Sequence, residues 1–274
     1  MDLFHPEKGR GRRVTHPRIF LDSLPEPGEA RTIDESQSHY LKNVLRLKEG
    51  EGIVLSDGQG AECEAVVSFP AGSPATLKIL NRTIRKAPAV PIILAQSIPK
   101  GDKMDAIIRQ AVELGVGRII PYRSARSVPR LSADKGAARV ARWQRIAEES
   151  ARQTGRAHIP EVDSILSFEE MVRISLPYDT CRLIFWEEER EAGFRETISS
   201  LRKTAAAYCL IVGPEGGLTA DEVRLAREAG FRSVSLGRNV LKVETAAPAV
   251  AAMLQYEIGG LGRAAGEETP EENP

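Results

Sequence analysis

Residues Ala207 to Leu236 read AYCLIV, GPEGG, LTADEVRLAREAG and FRSVSL in succession. The first segment is an unbroken apolar run, the kind that forms a strand buried on both faces of a parallel sheet. The second is a turn with three glycines in five residues. The third, from Thr219 to Ala229, has helical spacing and opens on a capping box, Thr219 with Glu222 three residues on. The fourth, Phe231 to Leu236, is again a strand. Strand, glycine turn, helix, strand is the repeating unit of an α/β sheet.

The same alternation extends in both directions. Ile92 to Ala95 is a short apolar strand, and Lys103 to Leu114 a helix closed by Gly115. Arg118 to Pro121 is a strand, Ala137 to Thr154 a long helix with Trp143, Ile146 and Ala147 on its apolar side. Arg182 to Trp186 is a strand, and Thr245 to Ile258 a last helix. Together these predict a mostly parallel sheet with helices on both faces. Upstream the rhythm is different. Arg18 to Leu21, Ile53 to Ser56, Glu62 to Ser68 and Ala75 to Ile84 read as strands, with a hairpin turn at Asp57-Gly58. Ser38 to Leu47 is the single helix, with Tyr40, Leu41, Val44, Leu45 and Leu47 on one face. That is a small β-barrel-like domain. The prolines at 88 and 91 mark a linker. The chain therefore divides into a basic tail (1–17), a barrel domain (18–87), an α/β domain (88–259) and an acidic tail (260–274) expected to be disordered.

The chain has 274 residues, 42% of them hydrophobic, with 38 Lys and Arg against 38 Asp and Glu. The neutral total conceals a split. Residues 82–156 carry a net charge of +10, the part before them −2 and the part after −8. A basic middle is the electrostatic footprint of a polyanion. Three scattered cysteines supply neither a disulfide framework nor a zinc site. No apolar run is long enough for a membrane helix, and the first residues carry no signal-peptide core. A cytoplasmic protein without membrane or metal is expected.

Ligands of open α/β sheets sit at the carboxyl ends of the strands. Gly213-Pro214-Glu215-Gly216-Gly217 follows one strand and lets a ligand approach the main chain. It lacks the Lys-Ser/Thr of a phosphate-binding loop. Leu236 and Gly237 leave a second strand into Arg238-Asn239-Val240-Leu241-Lys242-Val243-Glu244-Thr245. Val240, Leu241 and Val243 are too apolar for a solvated loop and would make a floor for a flat ring. Thr245 is placed to cap the next helix and Glu244 to sit by its positive end. Phe185-Trp186-Glu187 ends a third strand. Lys100, Lys103 and Arg109 surround one helix. Arg123, Arg126 and Arg130 lie in a stretch that reads as a loop, and Arg152 and Arg156 near the end of the long helix. No Ser/His/Asp triad or two-metal carboxylate cluster is present, so the site works by binding and positioning.

Several strings carry a family resemblance. They are Lys100-Gly101-Asp102-Lys103-Met104, Ala111 to Val116, Arg142-Trp143-x-Arg145-Ile146-x-Glu148 with Gln153 and Arg156, Val212 to Thr219, and Leu236 to Ala246. His39-Tyr40-Leu41, Val44-Leu45-Arg46 and the Asp57-Gly58 turn extend the match. In this order they resemble the RsmE family of 16S ribosomal RNA uridine N3-methyltransferases over residues 16–258. Lys242 departs from the arginine more often found there, which removes a bidentate contact. Arg18-Ile19-Phe20 fills the role of the arginine-aromatic element that opens the family's barrel.

The resemblance implies a PUA-like RNA-binding barrel followed by a SPOUT fold, an α/β sheet whose C-terminal part is tied in a trefoil knot. It implies S-adenosylmethionine as cofactor and a homodimer acting on the small ribosomal subunit. Carried over by position, the cofactor residues are Phe185, Trp186, Glu187, Gly213, Pro214, Glu215, Gly216, Gly217, Leu236, Gly237, Asn239, Val240, Leu241, Val243 and Thr245. Arg238 and Glu244 bridge cofactor and substrate as catalytic candidates, with no general base assigned. Arg18, Lys100, Lys103, Arg123, Arg126, Arg152 and Arg156 face RNA. The alternatives are a SPOUT enzyme methylating a ribose 2′-hydroxyl, a non-catalytic RNA-binding module, and a nucleotide-binding metabolic enzyme.

Overall fold

The structure is a computed structural model and describes residues 16–88, 90–127, 133–201 and 205–262. The two expected tails fall almost wholly outside these residues, as does Arg130. The chain forms two compact units, one of residues 1–87 with 151–159, the other of 88–150 with 160–274.

The smaller unit holds β1 (Arg18–Phe20), β2 (Ala30–Thr32), α1 (Glu35–His39), β3 (Gly52–Ser56), β4 (Ala61–Ser68) and β5 (Thr76–Ile84). The strands form one sheet in the order β1-β3-β4-β5-β2, antiparallel except for the β1–β3 pair. The β3–β4 turn closes as expected: Asp57 Oδ1 accepts the N–H groups of Gln59 at 2.7 Å and Ala61 at 3.1 Å, a side-chain mimic of a backbone turn. Ile19, Ile53, Leu55, Val67, Leu77 and Ile79 fill the core beside Leu41. The helix differs from its expected form. It starts at Glu35, because Asp34 caps it by accepting the Gln37 N–H, and from Tyr40 to Val44 it widens into a π-helical turn. The Leu45 N–H reaches back five residues to the Tyr40 carbonyl at 3.0 Å. This widening breaks the 3.6-residue register. Leu41 and Leu47 are buried as the spacing requires, whereas Val44 is 59% exposed.

The larger unit contains β6 (Ile92–Ser97), α2 (Lys103–Glu113), β7 (Arg118–Arg123), α3 (Ala133–Thr154), β8 (Glu161–Val162), β9 (Leu166–Ser167), α4 (Phe168–Val172), β10 (Thr180–Phe185), α5 (Phe194–Leu201), β11 (Ala207–Val212), α6 (Ala220–Glu228), β12 (Arg232–Val234) and α7 (Val243–Glu257). The last residues of α3 belong to the smaller unit by contact. The sheet order is β12-β10-β11-β6-β7-β8, with β9 also on β7, and every pair is parallel. β6 and β11, in mid-sheet, are buried at every residue, as continuous apolar runs demand. On one face α4 and α6 cover Ile93, Ile120, Tyr122, Ile184 and Ile211. On the other, α7 packs on β6 and β11 and against α2.

The strands and helices read from the sequence in this unit all form, with shifted boundaries, and the structure adds four short elements that the reading lacked: β8, β9, α4 and α5. β7 runs on to Arg123, so that residue ends a strand rather than lying in a loop. α7 starts at Val243 with Lys242 as its N-cap and no side-chain cap, which leaves Thr245 inside the first turn and exposed. Among the described residues, no helix is long and apolar enough to cross a membrane, and no cluster of His, Cys, Asp and Glu is arranged to hold a metal.

Tyr122 is fully buried, and its hydroxyl donates to the Val212 carbonyl at 2.9 Å, tying β7 to the end of β11. Burial pushes its phenol well above the usual range, so the group serves as a neutral donor. Tyr122→Phe removes that bond and is expected to lower stability by about 1–2 kcal/mol in urea unfolding.

Candidate active site

β10, β11 and β12 end level with one another. Phe185 pairs with Val212 on one side and with Val234 on the other. The three connections that follow therefore start side by side and enclose a cavity of about 440 Å3. Phe185, Trp186 and Glu187 line it from the first, Gly213, Pro214, Glu215 and Gly217 from the second, and Leu236, Gly237, Arg238, Asn239, Val240, Leu241 and Val243 from the third. Lys103, Arg190, Val212, Ser235, Lys242 and Ala246 complete the wall. Sequence reasoning did not single out Arg190 or Ser235, and Lys103 was expected at RNA rather than in this cavity.

Three expected residues are placed elsewhere. Gly216 is not in the lining; its carbonyl accepts from Arg126 Nη1 at 2.9 Å and so attaches the glycine loop to residues 124–127. Thr245 is exposed on the first turn of α7. Glu244 acts through Lys103, whose Nζ lies 3.2 Å from Glu244 Oε2 and 3.0 Å from Glu215 Oε1. The Lys100 N–H adds a third contact to Glu215, at 3.2 Å. One ammonium thus joins the start of α2, the glycine loop and the start of α7. Hydrogen bonds to both carboxylates push the Lys103 ammonium up. Burial raises Glu215, but its own N–H, Lys103 and the Lys100 N–H outweigh that and leave it below the usual carboxylate range. Glu244 is also held down, first by its own N–H at the helix start and then by Lys103, as a helix N-terminus favours.

The apolar floor is real but incomplete. Val243 is buried and Leu241 half-buried, while Val240 is 79% exposed. Among the described residues, the backbone groups of Arg238 to Leu241 make no hydrogen bond, so this stretch presents unpaired donors and acceptors along the cavity edge. Of the three loop glycines, Gly217 alone sits in the left-handed backbone region that favours glycine. Its φ is +71°, and a Cβ there would lie 1.7 Å from Glu187 Oε1. The acidic balance of residues 157–274 does not carry into the cavity: Lys103, Arg190, Arg238 and Lys242 line it against Glu187 and Glu215.

Residues 85–255 fit the family described as RNA methyltransferase domain, and residues 33–80 that described as RNA methyltransferase PUA domain. The ribosomal RNA small subunit methyltransferase E of Bacillus subtilis is 32% identical over 82% of this chain and 90% of its own. The chain belongs to the ribosomal RNA small subunit methyltransferase E family. The family's enzyme from Synechocystis is 34% identical over 80% of this chain and 70% of its own. Among solved structures, the Neisseria gonorrhoeae enzyme bound to S-adenosyl methionine superposes with a TM-score of 0.78, at 33% identity, covering 88% of this chain and 97% of its own. A Legionella pneumophila protein described as a putative methyltransferase with bound SAM gives the same score at 28% identity, covering 89% and 98%.

The basic residues fall in both units. In the larger one, Lys103 and Arg126 are engaged as described, and Lys100 is exposed. In the smaller, Arg18 is only 10% exposed and pairs with Glu62, which also takes Arg85 Nε at 3.1 Å. Arg152 stacks its guanidinium on the Tyr40 ring at 5.0 Å, and burial lowers the pKa of Arg156. A second carboxylate steadies the glycine loop from behind. Buried Glu222 accepts the Thr219 N–H at 2.9 Å and the Thr219 hydroxyl at 3.1 Å, and with its other oxygen the Ala125 N–H at 2.8 Å. Glu222→Ala leaves these donors bare and is expected to cost about 2–3 kcal/mol in urea unfolding, against about 1 kcal/mol for Thr219→Ala.

Proposed function

We propose that this protein transfers the methyl group of S-adenosylmethionine to N3 of a uridine in 16S ribosomal RNA of the small subunit. The observation that carries the reading is the convergence of three strand-end loops on one cavity, in a chain 33% identical to a relative that binds this cofactor. The cavity suits it in size. The unpaired backbone of Arg238 to Leu241 offers donors and acceptors to a purine edge, with Leu241 and Val243 as the apolar floor. Gly217 lets the loop take a left-handed backbone close against Glu187, a conformation that other residues adopt only under strain. Bound there, the cofactor supplies a methyl group already activated by its positively charged sulfur, so the protein's task is alignment.

The target N3 carries a proton that must leave. Glu215 and Glu244 are poor bases, since both are held below the ordinary carboxylate range. Lys103 stays cationic because its pKa is raised. Lys103, Arg238 and Lys242 therefore act by stabilising negative charge on the uracil oxygens as the proton departs. Among the described residues Arg238 makes no ion pair or hydrogen bond, so its guanidinium is available to the substrate. The target base must be unpaired or flipped, because N3 is engaged in a normal pair.

The family's trefoil knot and homodimer belong to the same reading. The path supports the first: β12 lies beyond β10 from β11, and α7 then returns to β11, β6 and α2. Exposed Met253 and Tyr256 on α7, with exposed Val240, support the second as an apolar surface for another copy.

Incubation with hypomethylated small subunits and labelled cofactor, followed by nucleoside mass analysis, is expected to give 3-methyluridine. A 2′-O-methylated nucleoside overturns the position, and no product from cofactor-bound protein overturns the activity. Gly217→Val is expected to abolish cofactor binding in calorimetry while circular dichroism still reports a folded protein. Gly216→Ala, outside the cavity, stays within about threefold of wild type. Unchanged affinity of Gly217→Val refutes the site.

A further inference from the structure

The connection from Trp186 to Gly193 forms one wall of the cavity and has no regular structure of its own. Backbone bonds fix its two ends, from the Trp186 N–H to the Val234 carbonyl and from the Ser235 N–H to the Ala192 carbonyl. Within it, Arg190 Nη1 donates to the Glu187 carbonyl at 2.8 Å, and one buried carboxylate ties its middle to the rest of the fold. Glu189 Oε1 accepts the N–H groups of Arg190 at 3.0 Å, Glu191 at 2.9 Å and Ala192 at 3.4 Å. Its Oε2 accepts the Ser233 hydroxyl and Arg227 Nη2, the latter at 2.8 Å. A single side chain thus joins the loop to β12 and to α6.

The chain of contacts continues to the cavity. The Arg227 guanidinium carbon lies 5.8 Å from the centroid of the Trp186 ring. The indole N–H of Trp186 is buried and has no acceptor among the described residues, so no hydrogen bond of its own orients the ring. Trp186 is held by packing and by a cation that Glu189 holds in turn. Glu189 is buried while the Arg227 side chain is half exposed, so the pair adds little to stability; what it supplies is a single loop geometry. The carboxyl is held down at about 2, chiefly by the Ser233 hydroxyl and then by the Glu191 N–H, so the anchor stays ionised at any physiological pH.

We propose that Glu189 is a positioning residue of the cofactor site: by fixing the 190–192 backbone and Arg227 it sets where Trp186, Glu187 and Arg190 stand against the ligand. The proposal rests on reading the cavity as the S-adenosylmethionine site. Glu189→Gln keeps the shape and one carbonyl oxygen, and replaces the other with an amide that cannot accept from Ser233 or Arg227. The full-length variant is expected to bind S-adenosylmethionine about tenfold more weakly in calorimetry. Its RNA affinity should stay near wild type. Hydrogen exchange at the 190–192 amides of the ligand-free protein should quicken. Cofactor affinity equal to wild type overturns the proposal, and so does an equal loss of cofactor and RNA affinity, which marks a merely structural role. Should Glu189→Gln not fold, Ser233→Ala tests the same anchor and is expected to weaken cofactor binding alone; unchanged binding then overturns it. A wild-type protein that takes up no S-adenosylmethionine overturns the reading of the cavity, and this proposal with it.

Discussion

The pairing of Phe185 with both Val212 and Val234 is the constraint from which the site follows. Parallel strands all release their chains at the same edge, so three strands ending level must release three loops into the same space. β11 is buried at every position and takes the middle of the sheet. It runs in continuous parallel register with β10 on one side and β6 on the other. Tyr122 then ties β7 to the last carbonyl of β11, directly before the glycine loop. The cavity is the space left between loops whose starting points are not free to move.

Within that frame the charges are arranged locally rather than by the gross composition. The C-terminal third is acidic, yet the cavity wall carries more cations than anions, because its acids are occupied. Glu215 and Glu244 share Lys103, Glu189 is enclosed by donors, and Glu222 is spent on capping and on the Ala125 N–H. Carboxylates at this sheet edge hold loops, and the cations left facing the cavity are those that suit a polyanionic substrate. Net charge over a third of a chain says which partner is attracted; it does not say which groups face it.

What was legible in the sequence follows the same division. The 207–236 unit could be read because each of its signals is local: an apolar run, glycines, and a capping box that the Thr219–Glu222 contacts reproduce. The three loops could be named because strand ends are local too. The π-helical turn at Tyr40–Val44 could not, since it costs one extra residue per turn that no spacing rule records, and it turns Val44 outward. The stretch between the expected strand ending at Pro121 and the expected helix starting at Ala137 read as a loop, which hid that Arg123 still belongs to the strand. Glu189 was invisible for a different reason. In sequence it is one of three consecutive acids with nothing local to set it apart; only the approach of Ser233 and Arg227, far away in the chain, separates it from Glu187 and Glu188.

That last distinction bears on how such a site can work with few reactive groups. A cavity built from backbone atoms has no side-chain nucleophile to tune, so its selectivity lies in where the main chain runs. The main chain of an irregular loop has no ladder to define it. Here the definition comes from charged side chains: Glu189 behind the first loop, Glu222 behind the second, and Lys103, itself on the wall, across the second and third. Each touches the chain at two or more sequence-distant points. The residues that face the ligand are therefore arranged in large part by residues that do not, and alignment of a bound methyl donor depends on ionic contacts at the back of the wall as much as on the wall itself.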